Sequence, residues 1–281
     1  MKGMIFAGCS FTWGQGLYYY SGLKTLREPP PNCFNEELLT DAHRRYAEIW
    51  RYPRLVASHF NTFEAVQKYN GGSEDTSIEY LEQVFNLNNR KYRTDYTYSF
   101  DEIDYIVLQT SQPHRNLYYY SRDGIQYEFS VDRPETKSKF YEWLFEVKRS
   151  SFEEWMKELI QIEFLKIRDT LQFYETKGIQ TRVLCWENDY LHLFETDEWM
   201  KERFIPLYFN GVRYECIRDL MTEKKHLTID SDFDNFPVTP KDHHPSLECH
   251  RIIANSIIKR IEEDEKILNR KPLVYGQKRI I

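Results

Sequence analysis

Short apolar runs recur along the chain, separated by stretches whose apolar residues fall three or four positions apart. The runs are MIFAG (4–8), FEAVQKY (63–69), YIVLQTS (105–111) and TRVLCWE (181–187), each of strand length. Between them lie helical patterns. Residues 44–60 carry Ile49, Leu55, Val56 and Phe60 at helical spacing, with Pro53 kinking the helix or dividing it in two. SIEYLEQVF (77–85) follows the second strand. The strongest pattern is 151–177: Ser151 and Glu154 form a capping box, and Phe152, Trp155, Leu159, Ile162 and Leu165 are expected on one buried face. Gly178 supplies its stop. A last helix follows HHPS, with Leu247, Ala254, Ile257, Ile258 and Ile261 as its stripe.

Strands alternating with helices predict an α/β fold: a parallel sheet covered on both faces. No Pro/Gly/Ser linker divides the chain, so residues 1–281 are expected to form one domain. Insertions are expected near 18–40, 86–100, 113–150 and 188–240.

Composition narrows the function classes. The chain has 281 residues, 29% of them charged, with a net charge of −6 and no long Lys/Arg run, which argues against a broad nucleic-acid footprint. Five cysteines stand apart without a CxxC pair, so neither a zinc site nor a disulfide framework is indicated. No secretory h-region or apolar segment of about 18 residues appears, and the expected location is cytoplasmic, with no membrane partner. Aromatic content is high, at 21 Tyr, 18 Phe and 6 Trp, which places many rings at surfaces or pockets.

In a parallel sheet ligands bind outside the carboxyl ends of the strands, so the residues just past each strand are the informative ones. GCSFTWGQG follows the first, NGGSEDTS (70–77) the second and SQPHRN (111–116) the third, while KDHHPS (241–246) precedes the last helix. Each has a structural use: Ser10 as a helix cap, Ser73 or Asp75 as another, Ser246 as a third. Together they hold the parts of nucleophilic catalysis. A serine needs a base to take its proton, an acid to orient that base, and N–H donors for the oxyanion. Ser10, His244, Asp242 and the N–H of Gly72 could fill those roles from different loops. Cys9 is a rival nucleophile, though a Cys at a strand end is more often buried and inert. Asp242, His243, His244 and His250 crowd together without a recognised metal spacing, so no metal or cofactor is expected; His250 is expected at the surface or half-buried.

Gly8-Cys9-Ser10-Phe11-Thr12 resembles the first block of the SGNH (GDSL-type) hydrolases, where Gly-Asp-Ser is usual. Asn70-Gly71-Gly72-Ser73 is similar to the second block, and Asp242-His243-His244-Pro245-Ser246 to the fifth. The resemblance implies a three-layer α/β/α sandwich with a parallel sheet of about five strands. It implies a serine esterase with Ser10 as nucleophile, His244 as base and Asp242 as acid. The oxyanion donors would be the N–H groups of Ser10 and Gly72. Two departures stand out: Asp242 lies two residues before His244 rather than three, and Ser111 occupies the third-block position of an asparagine. Ser111, or Gln112 through its amide, would then be the third oxyanion donor.

Leu-Tyr-Tyr-Tyr-Ser occurs at 17–21 and again at 117–121, each after a candidate site loop. Tyr18 and Tyr118 could stack on a sugar, Arg115 could meet an anionic group, and Gln112 is a further candidate substrate contact. The expected substrate is a small acyl ester, an O-acetyl group on a carbohydrate by family analogy. The alternatives are a binding module with little catalysis, taking glycan or protein, and an acyltransferase using the same serine.

Overall fold

The computed structural model describes residues 1–14, 17, 20, 41–67, 74–87, 96–113, 118–122, 125–129, 137–232 and 244–267. The strands are β1 (Gly3–Ala7), β2 (Glu64–Val66), β3 (Ile103–Gln109), β4 (Tyr118–Arg122), β5 (Ile125–Phe129), β6 (Gln180–Leu184), β7 (Leu207–Phe209) and β8 (Val212–Tyr214). The α-helices are α1 (Ser10–Trp13), α2 (Asp41–Trp50), α3 (Tyr52–His59), α4 (Glu74–Val84), α5 (Lys137–Trp143), α6 (Phe152–Thr176), α7 (Leu191–Thr196), α8 (Glu198–Lys201), α9 (Ile217–Glu223), α10 (Ile229–Asp232) and α11 (Leu247–Ile267).

The main sheet runs β2-β1-β3-β6 and all its pairings are parallel. A parallel bridge between Val183 and Phe204 continues it past β6, so a rudimentary fifth position exists. Alternate residues of the strands feed two cores. On one face Met4, Phe6, Tyr105, Val107 and Leu184 pack with Val56 of α3 and Ile253, Ile257 and Ile261 of α11. On the other, Ile5, Ala7, Ile106, Leu108 and Val183 pack with Leu81 and Val84 of α4 and Phe164, Ile167 and Leu171 of α6. The result is three α/β/α layers. Strands buried on both faces explain why the sequence shows continuous apolar runs rather than alternation.

Pro53 divides the 44–60 pattern: α2 ends at Trp50 and α3 starts afresh with Arg51 as its N-cap. The capping box of α6 forms as expected, with Ser151 Oγ accepting from Glu154 N–H at 3.2 Å. Its buried stripe differs from the expected one. Trp155, Leu159, Glu163, Ile167 and Leu171 follow each other every four residues, and Ile162 is 42% exposed. Glu163 holds its buried place by pairing with Lys166 at 3.0 Å.

The expected insertion over 18–40 lies outside the described residues apart from Tyr20. Within 113–150 are the antiparallel β4–β5 hairpin and α5, whose Phe140 and Trp143 join Trp155 and Leu159 in a satellite core. Within 188–240 are α7 to α10 and the β7–β8 hairpin. Tyr52, Tyr105, Tyr174 and Tyr190 are fully buried core residues, while Tyr96 and Tyr208 are exposed. Tyr105 reconciles its hydroxyl with burial by donating to Glu265 at 2.7 Å. Among the described residues no helix is long and apolar enough to cross a membrane.

Candidate active site

The turn after β1 is built by contact at close quarters. A Cβ on Gly8 would stand 2.2 Å from Thr12 Oγ1 and 2.9 Å from Gln109 Cβ, so only glycine fits there. The Gly8 N–H donates to Gln67 Oε1 at 2.8 Å, which ties the turn to the end of β2. Thr12 Oγ1 lies 2.9 Å from Tyr52 Oη and donates to Gln109 Oε1 at 3.1 Å. Gln109 Nε2 in turn donates to Cys9 Sγ at 3.1 Å. Gln67, Gln109, Thr12 and Tyr52 are buried, so these bonds act without competition from water.

The turn therefore delivers Ser10 in a fixed pose. Cys9, in an extended conformation, is the N-cap residue of α1, and Ser10 is its first helical residue. The Ser10 hydroxyl is thus not used as a helix cap. Its Oγ instead lies 2.9 Å from His244 Nε2, within hydrogen-bond distance across 234 residues of sequence. Ser10 is 4% exposed. Cys9 is fully buried, its sulfur turned toward Gln109.

His244 arrives on a pinned backbone. Its carbonyl accepts from Ile229 N–H at 2.9 Å, and Ser246 N–H donates to Leu227 O at 2.8 Å. Ser246 Oγ accepts from Cys249 N–H at 3.3 Å, so Ser246 does cap the last helix. The Phe11 ring sits 4.7 Å from the His244 imidazole and stacks on Trp186 at 3.8 Å with a 16° interplanar angle. One aromatic slab therefore joins the exits of β1 and β6.

Past β3, Thr110 N–H donates to Leu184 O at 2.8 Å, and Thr110 Oγ1 accepts from Trp186 N–H at 3.2 Å. Ser111 follows and is buried. Gln112 Nε2 donates to Glu187 Oε1, which also accepts from Trp186 Nε1 at 3.1 Å and pairs with Arg218 Nη1 at 2.7 Å. Asp242, His243, Gly72, Arg115 and Tyr18 lie outside the described residues. The backbone of Tyr118 is in β4, and its side chain also lies outside them.

His250 corrects an expectation. It is fully buried rather than surface or half-buried, because its Nδ1 accepts from Tyr52 N–H at 3.2 Å and its ring stacks on that of Tyr52. Burial, with the charges of His244 and Arg51 adding to it, lowers its pKa from 6.5 to about 3. It is a neutral prop for the N-terminus of α3.

No protein-family model and no curated protein matches this chain. A solved structure described as "a putative lipolytic protein of G-D-S-L family from Desulfitobacterium hafniense DCB-2" is similar to it at 9% identity. That match covers 92% of this chain and 99% of the other, with a TM-score of 0.38.

Sequence reading missed Tyr52 and Gln67 and the supporting roles of Thr12 and Gln109. A signal existed for two of them. Gln67 and Gln109 each stand at the carboxyl end of an apolar strand run, where a polar amide is worth having only if it has a partner.

Proposed function

We propose that this chain is a serine ester hydrolase in which Ser10 attacks and His244 is the base. The observation that carries the reading is the 2.9 Å separation of Ser10 Oγ and His244 Nε2, made by a serine whose hydroxyl is not used as a cap. For this the His244 proton must sit on Nδ1, leaving Nε2 as acceptor, and Asp242 is the proposed partner that holds it there. Ser10 Oγ adds to the ester carbonyl carbon as its proton passes to Nε2. The carbon–oxygen bond to the alcohol then breaks, and the same proton leaves with the alcohol. Water attacks the acyl-serine, giving one proton to His244, which returns it to Ser10.

The Ser10 N–H makes no hydrogen bond among the described residues, which leaves it for the oxyanion. The Gly72 N–H and Ser111 hydroxyl are the proposed second and third donors. A small acyl ester, an acetyl group on a carbohydrate, is the proposed substrate. Ser111 in place of an amide donor favours a second reading, a module that binds such ligands with little turnover. Transfer of the acyl group to a sugar instead of water would use the same acyl-serine.

Labelling with a fluorophosphonate tests the nucleophile: we expect the protein to be labelled and the Ser10→Ala variant to stay unlabelled. Equal labelling of both, or none of either, rejects the esterase. Hydrolysis of para-nitrophenyl acetate that survives His244→Ala rejects the proposed base.

A further inference from the structure

Glu187 is an unusual carboxylate for the exit of a buried strand. It is 9% exposed, yet its hydrogen bonds and ion pair among the described residues gather on one oxygen: Trp186 Nε1 at 3.1 Å, Arg218 Nη1 at 2.7 Å and the Gln112 amide meet Oε1. Among the described residues no hydrogen bond is formed to Oε2. A carboxylate offers about four lone-pair sites, so one whole acceptor oxygen is held in place unspent.

Its setting is rigid and adjoins the candidate active site. Ile217 N–H donates to Cys185 O at 3.0 Å and Arg218 N–H to Trp186 O at 2.9 Å, which locks the start of α9 onto the β6 exit. Trp186 stacks on Phe11, the residue after Ser10, and Phe11 lies against His244. On the other side Gln112, bonded to Glu187, follows Ser111 directly. Glu187 is therefore one stacked ring pair from the Ser10–His244 pair and one hydrogen bond from the β3 exit.

Charge decides what it can bind. Arg218 neutralises the carboxylate, so an ammonium group gains little there, while a neutral hydroxyl can donate to Oε2. The Arg218 side chain is 56% exposed, and a guanidinium has five N–H donors, more than its contact with Glu187 Oε1 uses. A donor and an acceptor side by side match adjacent hydroxyls of a polyol. We propose that Glu187 Oε2 and the Arg218 guanidinium form a subsite for the hydroxyl-bearing alcohol portion of the ester, a sugar or similar polyol. The catalytic part of this rests on Ser10 being the nucleophile.

Glu187→Gln keeps a carbonyl oxygen for the three donors and turns the unspent acceptor into an amide donor. We expect kcat/KM for glucose monoacetate, relative to that for para-nitrophenyl acetate, to fall at least about ten-fold in Glu187→Gln. A purely structural Glu187 would lower both esters together, and an unchanged ratio overturns the subsite. Arg218→Leu, at a half-exposed position, should lower the same ratio and carries the test if Glu187→Gln does not fold. Titration of glucose monoacetate into Ser10→Ala protein needs no catalysis. We expect binding there and at least about ten-fold weaker binding in Ser10→Ala/Glu187→Gln. Absence of binding to Ser10→Ala overturns the subsite. Glu187-dependent binding in a protein that hydrolyses neither ester supports the subsite and rejects the esterase.

Discussion

The exits of β1 and β6 lie on either side of β3, meet through the stacked rings of Phe11 and Trp186, and are held by opposite means. At β1 the supports are neutral and buried: Gln67 on the Gly8 N–H, and Thr12, Tyr52 and Gln109 on one another. At β6 the support is an ion pair, Glu187 with Arg218, reinforced by an indole and an amide. Neutral bonds in a dry interior fix a side chain at a distance that salt does not change. A half-exposed ion pair holds less tightly but presents charged and polar atoms to the outside. The first suits a serine that must meet a histidine at 2.9 Å, and the second suits recognition.

Removing the group that the β1 exit serves has the largest expected effect. Ser10→Ala should reduce hydrolysis of para-nitrophenyl acetate by about a thousand-fold or more while leaving the thermal midpoint nearly unchanged. A variant that kept most of its activity would mean the exit holds something other than the nucleophile.

Acid attacks the neutral supports through His250. Its pKa in the folded chain, about 3, lies below its ordinary 6.5. Below pH 6.5 the unfolded chain takes up a proton that the folded one refuses. The stabilisation is complete above pH 6.5 and is lost on acidification at a limiting slope of about 1.4 kcal/mol per pH unit, down to about pH 3. Denaturant melts of the protein and His250→Gln across this window should differ by that slope; parallel curves would show His250 accessible to protons.

Steric and hydrogen-bond lesions come next. Gly8→Ala forces a methyl against Thr12 Oγ1 and should cost about 1–3 kcal/mol. Thr12→Val leaves the Tyr52 and Gln109 polar groups short of a partner, at a cost of about 1–3 kcal/mol. Both should also slow ester hydrolysis, because the displaced element carries Ser10. Loss of stability without loss of rate would uncouple the turn from the site.

The smallest effect belongs to the β6 exit. Arg218→Ala should change stability by less than about 1 kcal/mol, and the difference should shrink further in about 1 M salt. A salt-independent loss would place that pair with the neutral supports of β1.

Much of this was legible along the chain. The four strand runs became the parallel sheet, and Ser151 with Glu154 opened α6 as their spacing predicts. Those features depend on neighbours in sequence. The stripe of α6 is not legible because Ile162 and Glu163 sit one position apart, and which faces inward follows from the packing of Trp155 and Leu159 on Phe140 and Trp143 and of Ile167 and Leu171 on the sheet. His250 was misjudged for a similar reason: its place is set by the Tyr52 N–H, 198 residues away.

Periodicity and turn chemistry are local, so they were enough to set the α/β class, the exits at which chemistry could gather and the residues standing there. The tertiary structure decided what those residues meet. The Ser10 hydroxyl could have capped a helix or faced a base, and it faces His244 because Gly8 lets Thr12 and Gln109 close on the turn. Glu187 could have been a solvated acid, and it is a held carboxylate because α9 docks on the β6 exit and brings Arg218 to it. Hydrogen bonds and charges between distant segments have no period, and only folding brings their partners together.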